Sequence, residues 1–378
     1  MNVGLLTLNA QIYNYGGLLQ EYALCKTIEK LGHNAEIINY DVASEWNTFS
    51  TKRSIRYISY DKIVRQFGKK LHLESSYASR DLDAKSKRLF DSFREKCMKF
   101  SRRYEYSDLN ELRNAYDGFV CGSDQIWNPS YNIPSFFLTF VKDKKKVIYA
   151  ASVGVSSLSR VEKKVYSELL FDLKYISVRE EEAKKMLAPL TTNPIEQVLD
   201  PTMLLDREEW KRFVKRDTNQ KPYLFCYFLG NNKDNTKAAR KFAKENDLEL
   251  IYAPSNITNS NESMRYLNGI GPIEFLNLIY NADYILTDSF HASVFSIVYN
   301  KPFRVFGRAI GRKNMNGRIT TLLSLIDRAD LLILPENLDS KCISSSSVYN
   351  YSKIDAEKKH SIYWLERALK ESGENRND

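Results

Sequence analysis

Long apolar runs are missing from this 378-residue chain. No segment approaches the roughly 18 consecutive apolar residues that a membrane-crossing helix needs. Cysteine and histidine are scarce as well. The five cysteines (Cys25, Cys97, Cys121, Cys226, Cys342) are scattered, odd in number and form no Cys-x-x-Cys pair. That excludes a disulfide framework or a zinc ribbon and leads us to expect reduced thiols in a cytoplasmic setting. With only four scattered histidines, a histidine-built metal centre is not expected. Met1–Leu8 (MNVGLLTL) carries no basic flank ahead of its apolar residues, so no secretory leader is expected. Also absent are a GxSxG elbow, a P-loop, an HExxH helix and a DxD pair placed for a metal-bound nucleotide sugar.

Apolar residues make up 43% of the chain, enough for two cores, and the length suits two domains. Lys and Arg outnumber Asp and Glu by 56 to 47, a formal charge of +9. Much of the excess lies between Lys52 and Arg103. A polyanion, an anionic membrane surface or a small phosphorylated substrate would suit that charge, as would a basic surface with no specific partner. Nucleic acid is not expected, because no recognised binding module accompanies the charge.

Apolar spacing organises the chain into alternating strands and helices. Val3–Leu8 reads as a strand, Tyr13–Gly17 as a glycine turn, Leu18–Leu31 as a helix stopped at Gly32, and Ala35–Asn39 as the next strand. Such a βαβ unit implies a parallel sheet. Residues 45–110 read as a basic, helix-prone insertion. Strands follow at Gly118–Cys121, Lys146–Ser152, Tyr175–Val178 and Gln197–Leu199. A polar break at Lys215–Pro222 precedes a second series, with strands at Tyr223–Leu229, Glu249–Ala253, Tyr284–Thr287 and Phe303–Phe306. The expected architecture is two doubly wound, Rossmann-like α/β domains (1–215 and 222–345) facing a central cleft, as in GT-B glycosyltransferases. A C-terminal helix within 354–370 is expected to pack back on the first domain.

Open parallel sheets bind ligands beyond the carboxyl ends of their strands. Four segments fall there. Asn14-Tyr15-Gly16-Gly17 offers a close backbone approach and an amide for a sugar hydroxyl, or is an ordinary βα turn. In Gly122–Asn128, Trp127 could stack on a sugar face while Ser123, Asp124 and Gln125 bind hydroxyls; alternatively Ser123 or Asp124 caps a helix. Thr287-Asp288-Ser289-Phe290-His291 puts a histidine and a serine at a strand-to-helix junction. Arg308, Arg312, Lys313 and Arg318 crowd one loop, able to grip a carboxylate and a phosphate or else a solvated surface.

Taken together, NYGGLLQEYAL (Asn14–Leu24), FVCGSDQIWNP (Phe119–Pro129), YAASVG (Tyr149–Gly154), ISVREEEA (Ile176–Ala183), VLDPTMLL (Val198–Leu205), TDSFHASVFSIVYNKPF (Thr287–Phe303) and NGRITTLL (Asn316–Leu323) resemble the polysaccharide pyruvyltransferase family. The resemblance implies transfer of the enolpyruvyl unit of phosphoenolpyruvate to two hydroxyls of a sugar, giving a cyclic pyruvate ketal in capsule, exopolysaccharide or wall-polymer biosynthesis. It implies no cofactor or metal beyond phosphoenolpyruvate as co-substrate. It assigns His291 as the proton-handling catalytic residue, with Asp124 as base for the incoming hydroxyl. Many members have Arg-Leu-His where this chain has Ser289-Phe290-His291, so the donor's carboxylate and phosphate fall to Arg179, Ser289, Arg308, Arg312, Lys313 and Arg318. The acceptor, a sugar or lipid-linked oligosaccharide, is then expected near Asn14, Tyr15, Gly16, Ser123, Gln125 and Trp127. A lipid-linked acceptor would place the protein in the cytoplasm at the inner membrane face, with the basic stretch on the anionic bilayer. The competing expectations are a nucleotide-sugar glycosyltransferase, with Glu262 or Glu274 binding a ribose, and a non-catalytic carbohydrate-binding relative.

Overall fold

The computed structural model describes residues 1–8, 13–45, 82–130, 133–141, 146–230, 233–253, 265–310, 313–314, 316–334 and 346–374. The first sheet contains β1 (Asn2–Leu6), β2 (Asn34–Tyr40), β3 (Phe100–Tyr104), β4 (Gly118–Asp124), β5 (Lys146–Ala151), β6 (Tyr175–Val178) and β7 (Ile195–Gln197). All its pairings are parallel, in the order β3-β2-β1-β4-β5-β6-β7. Both faces of β4 and β5 are buried, which is why these strands read as unbroken apolar runs and not as alternating ones.

The second sheet contains β8 (Tyr223–Tyr227), β9 (Glu249–Tyr252), β10 (Arg265–Tyr266), β11 (Tyr284–Thr287) and β12 (Phe303–Phe306). A short hairpin, β13 (Ala309–Ile310) with β14 (Lys313–Asn314), interrupts it before β15 (Leu332–Ile333) joins the edge. Its order, β10-β9-β8-β11-β12-β15, repeats the doubly wound pattern of the first sheet. Each sheet therefore reverses direction once, between β1 and β4 and between β8 and β11. These switch points are where ligands bind in such folds.

Among the helices that pack against these sheets or against one another, those that position the site and join the domains are α1 (Tyr15–Lys30), α2 (Ala84–Cys97), α3 (Pro272–Asn281), α4 (Phe290–Val298), α5 (Gly317–Ser324) and α6 (Ser352–Glu374). α1 lies between the two domains, and residues on every side of it are buried. Tyr15 stacks on Phe275 of α3 at 4.6 Å between ring centroids and donates its hydroxyl to the Ile270 carbonyl at 3.1 Å. A single apolar core consequently runs from the inner helices of one sheet to those of the other. α6 crosses back onto the first domain as expected, packing against β4 and β5. Ser361 accepts the Leu199 N–H at 2.9 Å, and Trp364 tilts over Tyr149.

Two expectations change. The segment 45–110 holds a parallel edge strand, β3, whose alternation is masked in sequence by Arg102 and Arg103; both project outward onto Glu111 and Asp41 at 2.6 Å. Residues 46–81 of that segment lie outside the described residues. The first helix begins at Tyr15, not Leu18, so the glycine pair sits inside its first turn instead of forming a separate loop.

Within α1, Glu21 is fully buried and neither carboxyl oxygen has a hydrogen-bond partner among the described residues. Burial pushes its pKa up to about 8, only partly offset by the Arg94 guanidinium. The folded state must therefore hold a proton that the unfolded chain releases near pH 4.5, and stability falls as pH rises from there to about 8. Glu21→Gln should raise unfolding free energy by on the order of 3–5 kcal/mol at pH 9 and leave it nearly unchanged at pH 4, as read by urea titration.

Candidate active site

Three strand ends of the first sheet and two helix starts of the second domain meet at one place. β4 ends at Asp124, β6 runs into Arg179 and Glu180, and β7 leads through Val198 to Asp200. From the other side come Phe290 and His291 at the start of α4 and Arg318 at the start of α5. Ser289 caps α4, its hydroxyl accepting the Ala292 N–H at 3.4 Å. Asp124 holds φ +65°, a left-handed backbone that costs a residue with a Cβ roughly 1 kcal/mol. That turn aims its carboxylate back at Arg179.

Arg179 is the hub. Its guanidinium contacts Asp200 at 2.5 Å, Asp124 at 3.3 Å and Glu180 at 3.3 Å, and lies 4.4 Å over the Phe290 ring. Its side chain is 3% exposed, so these acids consume its charge in a dry setting. Asp200 also accepts from the Thr202 N–H and hydroxyl. Burial works against ionising Asp200, but His291 and Arg179 together hold its pKa well below the ordinary range. Asp124 is likewise depressed, burial being outweighed by Arg179, His291 and Arg318.

His291 presents Nε2 to Asp200 at 3.6 Å, an ion-pair distance that is long for a hydrogen bond. That nitrogen is buried without a hydrogen-bond partner among the described residues. The other face of the ring fills the space over Gly16: a Cβ there would sit 2.1 Å from Nδ1. Gly16 is thus needed for approach between helices. Gly16→Ala should cost about 1–3 kcal/mol through overpacking and should displace the imidazole. A fall in activity out of proportion to the loss in melting temperature is the expected result.

Arg318 is buried, with Nε unpartnered among the described residues. With the Gln125 amide oxygen turned toward it, it donates to that oxygen at 3.0 and 3.2 Å. Burial and the neighbouring Arg179 charge lower its pKa to about 10, so it keeps its proton at neutral pH. At the second switch point, Asp288 accepts the Leu229 and Gly230 N–H groups at 2.5 and 2.9 Å, with Arg308 Nε 4.0 Å away. Burial outweighs these partners and raises the Asp288 pKa. Among the described residues no group of three or more His, Cys, Asp or Glu side chains is placed to hold a metal.

The model of one family, polysaccharide pyruvyl transferase, matches residues 14–309. The chain belongs to this family. Solved structures share the fold at low identity. A Listeria monocytogenes structure described as a candidate UDP-N-acetylglucosamine 2-epimerase has TM-score 0.51 and 12% identity over 94% of each chain. UDP-N-acetylglucosamine 2-epimerase from Rickettsia bellii has TM-score 0.50 and 10% identity, covering 98% of this chain and 97% of its own. No curated protein matches the chain.

Within this pyruvyl transferase, several expected site residues take different places. Asn14 is the N-cap of α1, its side chain accepting the Gly17 N–H at 3.0 Å, and so is not free for a sugar. Tyr15 and Gly16 are spent on packing between the domains. Ser123 is fully buried, donating to the Ala150 carbonyl. Trp127 is 1% exposed, stacked on Phe137 at 4.8 Å and donating Nε1 to the Phe136 carbonyl, so its face meets no sugar. Arg179 is held by acids instead of standing open to a donor. Arg312 and the side chain of Lys313 lie outside the described residues, as does Glu262. Glu274 accepts the Gly271 N–H at the start of α3. The structure does bring Asp124, Gln125, His291 and Arg318 together. Asp200 and Glu180 were missed, although each is the first acid after a strand end in a block that carries the family resemblance.

Proposed function

We propose that this transferase moves the pyruvyl unit of phosphoenolpyruvate onto two hydroxyls of one sugar residue, closing a cyclic ketal in polysaccharide biosynthesis. The observation that carries the reading is the buried Asp200–His291–Arg318 cluster where both domains meet. A proton donor and a cation with an unpartnered Nε stand there beside a locked array of carboxylates. Phosphoenolpyruvate is a compact anion, and Arg318 and Arg308 are the described cations with spare donor capacity to hold it. Nδ1 of His291 is packed against Gly16, so Nε2, which has no hydrogen-bond partner among the described residues and lies 3.6 Å from Asp200, is the nitrogen that exchanges protons with substrate. The imidazolium gives its proton to the methylene carbon, making C2 electrophilic. A sugar hydroxyl then bonds to C2 and its proton passes to a base, His291 or Asp124. Phosphate departs with the electrons of its C–O bond, and a second hydroxyl of the same sugar bonds to C2 and closes the ring, its proton passing to the departing phosphate. No cofactor enters this sequence.

The position of Asp288 favours this reading over a nucleotide-sugar donor. Its carboxylate occupies the amides after β8 that a dinucleotide fold would offer to a pyrophosphate. Thermal shift with phosphoenolpyruvate and with uridine diphosphate sugars tests the choice. A rise in melting temperature with phosphoenolpyruvate alone is expected, growing as its concentration passes Kd; a response to the nucleotide sugars alone would overturn the reading. Contact with an anionic bilayer remains part of the proposal through the basic stretch Lys52–Arg103. Sedimentation with phosphatidylserine vesicles should be salt-sensitive. No described helix is long and apolar enough to cross a membrane.

A further inference from the structure

A cavity of about 200 Å³ opens beside the cluster, between the ends of β6 and β7, the inner face of α5 and the side of α6. Its walls include Arg318, Gln197, Thr321, Ser324 and Glu357, over an apolar floor that includes Phe290 and Leu322. Arg179 and Asp200 also border it, which places it one residue from His291.

We infer that this cavity takes the acceptor, as a single neutral pyranose ring whose hydroxyls meet Glu357, Thr321 and Gln197. The inference rests on the pyruvyl transfer proposed above. Charge decides between the two substrates. Two guanidinium groups, Arg179 and Arg318, border the cavity with two carboxylates, Asp200 and Glu357, and Arg179 is further paired with Asp124 and Glu180, so a trianion such as phosphoenolpyruvate meets no net attraction there. A sugar is different: hydroxyls donate to carboxylate and amide oxygens, accept from the guanidinium and amide, and lay their C–H face on Phe290 and Leu322. Glu357 has room for this, being half-buried and in no ion pair among the described residues. The polar positions expected to bind the acceptor near Asn14 and Trp127 are consumed by packing. The cavity offers what they do not. Moreover Ser324 and Glu357 lie beyond both the segment that matches the family model and the blocks that carry the resemblance, so this part of the wall is where acceptor specificity can differ between members.

The test uses the full-length protein with phosphoenolpyruvate present, and saturation-transfer NMR with methyl galactoside and methyl mannoside as probes. At least one glycoside should receive saturation from the wild type. Thr321→Phe, which fills the cavity, should abolish the signal, and Glu357→Gln should weaken binding about tenfold, the loss expected for one hydrogen bond to a charged acceptor. Both variants should keep the wild-type thermal shift with phosphoenolpyruvate, which also certifies their fold. If neither glycoside is saturated by the wild type, or if its signal survives both substitutions, the cavity is not the acceptor site. Absence of any phosphoenolpyruvate shift in the wild type would instead overturn the donor assignment, so the two failures read differently.

Discussion

Replacing Arg179 with methionine should lower the unfolding free energy by about 3–5 kcal/mol, because it strands buried carboxylates that now share one guanidinium. Asp124, Glu180 and Asp200 all point at that group, and Glu180 Oε2 already lacks a partner among the described residues. The pH dependence should change with it. Asp124 and Asp200 have depressed pKa values in the folded state, so each contributes stability above the unfolded value near 4 that is lost as pH falls through the folded one. In Arg179→Met those values rise, and the acid-side loss should begin at higher pH than in the wild type. Thermal melts at intervals from pH 7 down to pH 3 would show it. Unchanged stability at pH 7 would mean that the acids hold each other in some way other than through Arg179.

His291→Ala should reduce pyruvyl transfer by roughly 10²–10⁴-fold, the usual contribution of a positioned acid–base group, while phosphoenolpyruvate still stabilises the protein. Asp200→Asn is the more informative partner experiment. It keeps shape and removes the charge beside Nε2, so turnover should fall although the fold and the imidazole are retained. Asp124 is the other acid whose charge interacts with His291, and it persists in this variant. KM for phosphoenolpyruvate should stay near the wild-type value. Unchanged turnover in Asp200→Asn would remove Asp200 from the proton transfer.

Much of the fold was readable from the residues alone. Tyr284–Thr287 and Phe303–Phe306 fall where their apolar spacing puts them, and the two-sheet order follows from a βα rhythm repeated either side of Lys215–Pro222. β3 was hidden because an edge strand may carry charge on its open face, as Arg102 and Arg103 do. The site was read less completely. A sequence places Asn14 and Trp127 at the right end of the sheet, but whether a polar or aromatic group faces a ligand or a neighbour depends on what lies opposite in the folded chain. For Trp127 that neighbour is Phe137, and for Gly16 it is His291, 275 positions away in the chain. The pairing of Arg179 with Asp200 is hidden for the same reason: ion pairs across strand ends leave no periodic trace.

The return of α6 to the first domain bears on how the chain is made. During synthesis β4 and β5 emerge long before Ser352–Glu374, and the face that receives Ser361, Trp364 and Leu365 stays bare until about two hundred further residues have been added. The nascent first domain therefore presents a sticky apolar surface while the second is still being translated. Shielding by a chaperone at the ribosome, and aggregation of chains stopped before residue 352, are the natural companions of this topology.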